Sequence, residues 1–117
     1  IYPDSTVEKR QEILNEWYRA QLKNIVETMI ATWESKIGVT ATVWRIRSMK
    51  TKWGSCNTDR KSILLNLELA KKPLHCIEYI VVHELVHLKV RNHNNKFVAF
   101  MNHFLPEWKL FSHHLST

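Results

Sequence analysis

The sequence is short of residues that bend, break or cross-link a chain: 117 residues hold only 2 glycines, 3 prolines and 2 cysteines. Both glycines fall where punctuation is expected, Gly38 after a long apolar-periodic stretch and Gly54 inside a turn-rich segment. Two cysteines, Cys56 and Cys76, argue against a disulfide-framed secreted scaffold, which at this size carries several pairs. Two free thiols in a reducing cytoplasm are the default expectation. No apolar run approaches the ~18 residues of a membrane span, and no basic, apolar and small-residue signal pattern opens the chain. Internal repeats and low-complexity segments are absent from the sequence. Acidic residues are in the minority, 11 against 17 lysines and arginines, for a net charge of +6. That balance admits anionic partners such as nucleic acid. The cations are nonetheless scattered, with Arg45, Arg47, Lys50 and Lys52 along one stretch and Lys71 and Lys72 further on, as on an ordinary solubilising surface.

What is present is enough for one modest core. Apolar residues make up 44% of the chain, which places it among folding sequences of one-domain size. Ser5 or Thr6, with Glu8 completing a capping box, is expected to start a helix. Ile13, Leu14, Trp17, Leu22, Ile25, Val26, Met29 and Trp33 then recur at three- and four-residue steps, predicting a core-facing helix of about 30 residues. Gly38 is its left-handed end. "TATVWRIRS" alternates, with Trp44 and Ile46 on one side and Val43, Arg45 and Arg47 on the other, and reads as a strand. "KTKWGSCNTDRK" is a loop or short strand followed by a turn. "SILLNLELA" is a further strand in which Asn66 needs a partner, and a hairpin joins these strands. Pro73 opens a second helix bearing Leu74, Ile77, Ile80, Val81, Val82, Leu85, Val86 and Leu88; it is apolar nearly all round and therefore buried. Asn94 or Asn95 caps a third helix, which carries Phe97, Phe100, Met101 and Phe104. Pro106 interrupts it, and a last short turn holds Trp108 and Phe111. The fold class is α+β.

The chemistry concentrates in "HELVHLKVRNH", His83 to His93. His83 and His87 lie about 40° apart on one helix face, one turn apart, so both imidazoles can reach one metal ion. This is the zinc-protease use of H-E-x-x-H, with Glu84 the general base and not a ligand. A third ligand must come from beyond that helix. Asn92, in a left-handed cap, is expected to turn the chain back and present His93. The spacing of the three histidines is that of the metzincins, but Val90 stands where they have glycine and no methionine turn is found, so only the ligand spacing is shared. A buried pair of histidines and a glutamate need partners, and a metal supplies them. Tyr79, His103 and the Trp53, Gly54 and Ser55 loop are candidates to steady an oxyanion or shape the cleft. Tyr79 and Trp53 also read as packing residues. The strand from Ile63 to Leu69 is expected to offer an edge to an extended substrate. His75, His113 and His114 read as surface residues. Cys56 reads as a packing residue in a loop, and Cys76 stands ~10 Å along the helix from His83, too far to share its ion.

The chain resembles the YgjP-like metallopeptidase family, small zincin-like proteins related in motif to the SprT-like proteases. The resemblance runs through "KWGSC" at Trp53 to Cys56, "LLN" with Asn66, Pro73, "YIVVHELVHL" at Tyr79 to Leu88, Asn92 with His93, Phe97, and "PEW" with Pro106 and Trp108. It implies one zinc ion bound by His83, His87 and His93, with Glu84 catalytic. It implies a small zincin-like domain with a long N-terminal helix, a short mixed or antiparallel sheet, a buried HExxH helix and C-terminal helices. Peptide or protein is then the substrate. Asn66 joins Tyr79, His103, Trp53, Gly54 and Ser55 as a residue expected to support the site or line the cleft. Two departures stand out: Val98 replaces the tryptophan that often follows the phenylalanine, and family members usually carry a further N-terminal region. The chain, which opens on Ile1, is thus expected to be a single domain, 1–117, cut from something longer. The alternative class is a non-catalytic, metal-stabilised domain that binds nucleic acid or protein.

Overall fold

A computed structural model describes the backbone of residues 3–116 and the side chains of residues 7–115. The first helix, α1, spans Pro3–Ile37. Its backbone is helical from Pro3, so Ser5 and Thr6 lie inside it and do not cap it; their side chains fall outside the described residues. It ends as expected: Gly38 takes φ +83°, and its N–H and that of Val39 both return to the Glu34 carbonyl at 2.9 and 3.3 Å. The core stripe, however, occupies only the C-terminal part. Leu22, Val26, Ile30, Trp33 and Ile37 are buried, whereas Ile13, Leu14 and Trp17 are exposed. Periodicity gives the face a helix would bury, not how much of its length meets a partner. At 1.5 Å per residue the 35 residues of α1 run ~52 Å, most of the 58 Å long axis of the molecule and well beyond its 30 and 23 Å widths.

Three strands follow: β1 (Val43–Arg47), β2 (Gly54–Asn57) and β3 (Ser62–Asn66). β3 is central, parallel to β1 and antiparallel to β2. The hairpin therefore joins β2 to β3, its turn held by Asn57 Oδ1, which accepts the N–H groups of Asp59 and Arg60 at 3.1 Å. Because β3 is paired on both sides, it offers no edge to a substrate, contrary to the reading of Ile63 to Leu69; the outer strands are β1 and β2. β3 is also shorter than expected. Asn66 Oδ1 accepts from the Glu68 N–H at 3.0 Å and starts a 3₁₀ helix, Leu67–Lys71. An Asn side chain that satisfies a free N–H ends the ladder there.

The second helix, α2 (Leu74–Lys89), follows Pro73, which caps it from outside. As expected from its all-round apolarity, α2 is the centre of the molecule, packed by α1, the sheet, α3 (Asn95–Phe104) and α4 (Trp108–Ser116). Leu74, at its exposed start, is the exception. Long-range bonds fix α1 to α2: Trp33 Nε1 donates to Glu78 Oε2 at 3.1 Å, and Lys89 Nζ to the Ile37 carbonyl at 3.1 Å.

The unequal burial of α1 has a measurable consequence. Leu22→Ala is expected to cost about 2–5 kcal/mol in urea unfolding, the range for a fully buried leucine. Leu14→Ala should stay within about 0.5 kcal/mol, as exposed substitutions do. Equal costs at the two positions would show that the N-terminal turns are buried in solution.

Candidate metal centre

The His83 and His87 rings project from one side of α2, centroids 4.7 Å apart. α2 ends at Lys89, and Val90 leaves it in an extended conformation, φ −131° and ψ 103°. Contrary to the expectation of a left-handed cap, Asn92 does not have a positive φ; among the described residues the only non-glycine that does is Lys61. The chain returns instead through extended backbone, which Asn94 redirects into α3 by accepting the Phe97 N–H at 3.0 Å. This return brings His93 back over the helix. Its Nε2 lies 2.9 Å from His87 Nε2 and 3.2 Å from His83 Nε2.

The far side of each α2 ring is engaged. His83 Nδ1 donates to Glu84 Oε2 at 2.9 Å, and His87 Nδ1 donates to the Val90 carbonyl at 3.2 Å. A proton on Nδ1 leaves the Nε2 lone pair facing the cluster, which is how partners behind a ring select its tautomer. Burial, and then the neighbouring His83, lower the His87 pKa, against weaker opposing effects of Glu84 and the Val90 carbonyl; His93 adds to the lowering. His87 is therefore held neutral, the form that binds a metal. Tetrahedral zinc with Zn–N bonds of ~2.0–2.1 Å separates its ligand nitrogens by ~3.3 Å. His93 stands at about that distance from both other rings, and the three ligand nitrogens all lie within 4.8 Å of one another, so shifts of about 1 Å bring them onto such an ion.

Phe97 belongs to the site as well, though helical spacing marks it only as an apolar residue of α3. It is buried, 2% exposed, and touches all three rings, with centroids 5.3 Å from His83, 4.6 Å from His87 and 4.7 Å from His93. It is the apolar floor against which the imidazoles are set. An Asn followed three residues later by an aromatic is the signal that could have marked it.

Glu84 is 4% exposed, and Gly54 at the start of β2 lies against it. A Cβ on Gly54 would stand 2.9 Å from Ile80 Cγ2 and 3.3 Å from the Glu84 Cγ and Oε2 atoms. The absence of a side chain is what lets the edge strand approach the carboxylate so closely. A cleft of about 260 Å³ opens here, lined by Trp53, Gly54, Tyr79, His83, Glu84 and, from α4, Ser112 and Leu115, among others. Tyr79 lies edge-on to His83 at 5.6 Å and is stacked with Trp108 at 6.4 Å. Burial pushes its phenol pKa up, partly offset by a hydrogen bond with Ser112, and Glu84 adds a smaller upward push.

The other expected site residues are placed elsewhere. Ser55, next to Gly54 on a pleated strand, points to the opposite face and lines a hollow with Arg45, Arg47 and Leu64. His103 is exposed in the last turn of α3 against Phe104 and does not line the cleft, because the buried face of α3 runs through Phe97 and Met101. Asn66 is a clip: its Nδ2 donates to the carbonyls of Met49 at 3.0 Å and Lys52 at 2.8 Å, fixing the segment that leads into Trp53 and Gly54.

The class of the domain, a metallopeptidase, is shown by its family. The chain belongs to the YgjP-like family, whose metallopeptidase-domain model matches residues 2–117. That membership makes it a peptidase with a catalytic metal. No curated protein matches the chain. Among solved structures it is similar to the metallopeptidase zymogen of Pyrococcus abyssi, abylysin, with TM-score 0.70, 24% identity, and coverage of 77% of this chain and 90% of that one. It is also similar to the Methanocaldococcus jannaschii zymogen, jannalysin, with TM-score 0.61, 23% identity, and coverage of 81% and 87%. These likenesses bear on the fold.

Cys56, two residues beyond Gly54 and on the same face, reports on this corner. Burial first, and then the Glu84 charge, raise its thiol pKa to about 11. A raised value keeps the thiol protonated and unreactive until the pH approaches it. In metal-free protein near pH 8, Cys56 alkylation followed by peptide mass is expected to be far slower in the native state than in urea. Glu84→Gln should speed the native reaction. An unchanged rate in that variant would mean that the carboxylate does not face the thiol.

Proposed function

We infer that the chain is a zinc-dependent peptidase, with one ion held by His83, His87 and His93 and with Glu84 as general base. The observation that carries this reading is the meeting of three Nε2 atoms, at 2.9 and 3.2 Å, beside a buried carboxylate. Three imidazoles with a position left open are a donor set of catalytic zinc sites. When bound, the ion supplies Lewis acidity and brings the pKa of water towards ~7.

The protein's own part follows from the geometry. Glu84 takes the proton of the attacking water on its carboxylate and delivers it to the leaving amine. Its bond to His83 Nδ1 fixes the carboxylate beside that ligand ring, on the cleft side, and Gly54 leaves space in front of it. β2 is an edge strand, so an extended peptide adds beside Gly54–Asn57 by backbone hydrogen bonds, which sets the scissile bond next to Glu84. The Tyr79 phenol, kept protonated by burial, is a donor in the cleft wall suited to the oxyanion. The unpaired Cys56 and Cys76 fit a reducing compartment such as the cytoplasm. Among the described residues no helix is long and apolar enough to cross a membrane.

A second reading, a metal-stabilised domain that holds nucleic acid, draws on a groove between α1 and β1 lined by Arg19, Lys23, Arg45 and Arg47. Binding through phosphates would weaken steeply with added salt.

Glu84→Gln is expected to keep its metal and lose about a hundred- to ten-thousand-fold in peptide hydrolysis, the worth of a general base. His93→Ala should lose the metal, measured by elemental analysis of the purified proteins. If Glu84→Gln loses metal instead, the carboxylate is a ligand; if His93→Ala retains it in full, the third ligand lies elsewhere.

A further inference from the structure

A second group of metal-binding side chains lies about two turns N-terminal of the first along the same helix. His75 and Cys76 stand in the opening turn of α2, and His114 is in the last turns of α4. Ring nitrogens of His75 and His114 are 3.0 Å apart, and the Cys76 sulfur and both imidazoles offer ligand atoms all within 4.8 Å of one another. Cys76 is 1% exposed, and His75 is half-buried with its ring against Phe111 at 4.9 Å. The separation from His83 is ~10–12 Å along the helix axis, so one ion cannot serve both groups.

We propose that His75, Cys76 and His114 form a second metal site, for a zinc-type divalent cation, that fastens α4 to the start of α2. One thiolate and two imidazoles are a borderline-soft donor set that selects such a cation. Zn–S of ~2.3 Å and Zn–N of ~2.0–2.1 Å imply ligand-atom separations of roughly 3.3–3.6 Å, so shifts of about 1 Å bring the three onto one ion. On binding, the Cys76 S–H bond breaks, a sulfur–metal bond forms, and the proton leaves to solvent. Burial of the thiol raises its pKa and the nearby Lys72 charge lowers it. Helix N-termini also favour thiolate.

The site has a structural effect on the cleft. α4 lies on α2 through Trp108 stacked with Tyr79, the Ser112 bond to Tyr79, and buried Leu115. Ser112 and Leu115 are also cleft residues. A metal bridging positions 75 and 76 to 114 ties off the chain segment between them and pins that wall in place.

The test is cobalt titration of the full metal-stripped chain, reading the near-ultraviolet thiolate-to-cobalt charge-transfer band. The band is expected in the wild type and in His87→Ala, which disrupts the first cluster, and in Cys56→Ser, which removes the other thiol. It should be lost in Cys76→Ser and weakened or lost in His114→Ala, an exposed position where substitution spares the core. Wild-type protein should bind one more equivalent of metal than Cys76→Ser. A band that follows Cys56, a band that survives in Cys76→Ser, or no thiolate band at saturating cobalt would each overturn the proposal and leave His75 and His114 as a hydrogen-bonded pair. Persistence of the band in His87→Ala separates this outcome from any failure of the first site.

Discussion

Everything in the site depends on three imidazole nitrogens having to meet at one point. Neutral imidazoles with lone pairs pointing inwards do not attract one another, and without a cation only a proton shared between two of them can hold them at 2.9 and 3.2 Å. The protein therefore fixes each ring from outside the cluster. Glu84 and the Val90 carbonyl hold Nδ1 of His83 and His87, and Phe97 backs all three rings. These supports rest in turn on the most enclosed part of the fold, since α2 is packed by every other layer. A cluster on an exposed helix would relax; this one is set in hydrocarbon on the Phe97 side, is exposed at His93, and meets the cleft only through His83.

Legibility in the sequence tracks the range of the interaction. The His83 and His87 pair, the all-round burial of α2, the Gly38 stop and the alternation of β1 are local features, and all four could be read from spacing. The proximity of His93 could be anticipated as well, but the reason offered, a left-handed Asn92, was not the one the chain uses. What brings His93 back is the extended Val90 backbone and the Asn94 cap on α3. Asn66 needed a partner, as a buried amide in an apolar run must, yet its partners lie 14 and 17 residues earlier in the chain. No local pattern distinguishes an amide that clips a loop from one that faces a substrate. The same limit explains α1, where the stripe was real and only the length of the partner was unknown, and His103, which shares a helix with Phe97 but not its buried face.

The cleft combines elements that have little in common in sequence. Gly54 and Trp53 come from the edge of the sheet, His83 and Glu84 from the central helix, and Ser112 and Leu115 from the last helix. Membership of a metallopeptidase family fixes the class of chemistry. The identities of the wall residues depend on how three separate segments dock on α2. His75, Cys76 and His114 illustrate the point further, since 39 positions separate the two histidines and nothing in either segment announces the other.

Glu84 carries two demands that pull in different directions. A carboxylate that is 4% exposed is costly unless something compensates for its lost water. The His83 Nδ1–H supplies one hydrogen bond, and a cation at the Nε2 face of the same ring would supply charge. The bond that makes the buried carboxylate tolerable is thus the one that orients a ligand ring, so base and metal site stabilise each other. Gly54 completes the arrangement from the opposite side. A Cβ there would be driven 2.9 Å from Ile80 Cγ2 and would crowd the carboxylate itself. An edge strand that brings peptide backbone up to a buried base can do so only where its own side chain is missing. That is the physical reason one of only two glycines in the chain sits at that position.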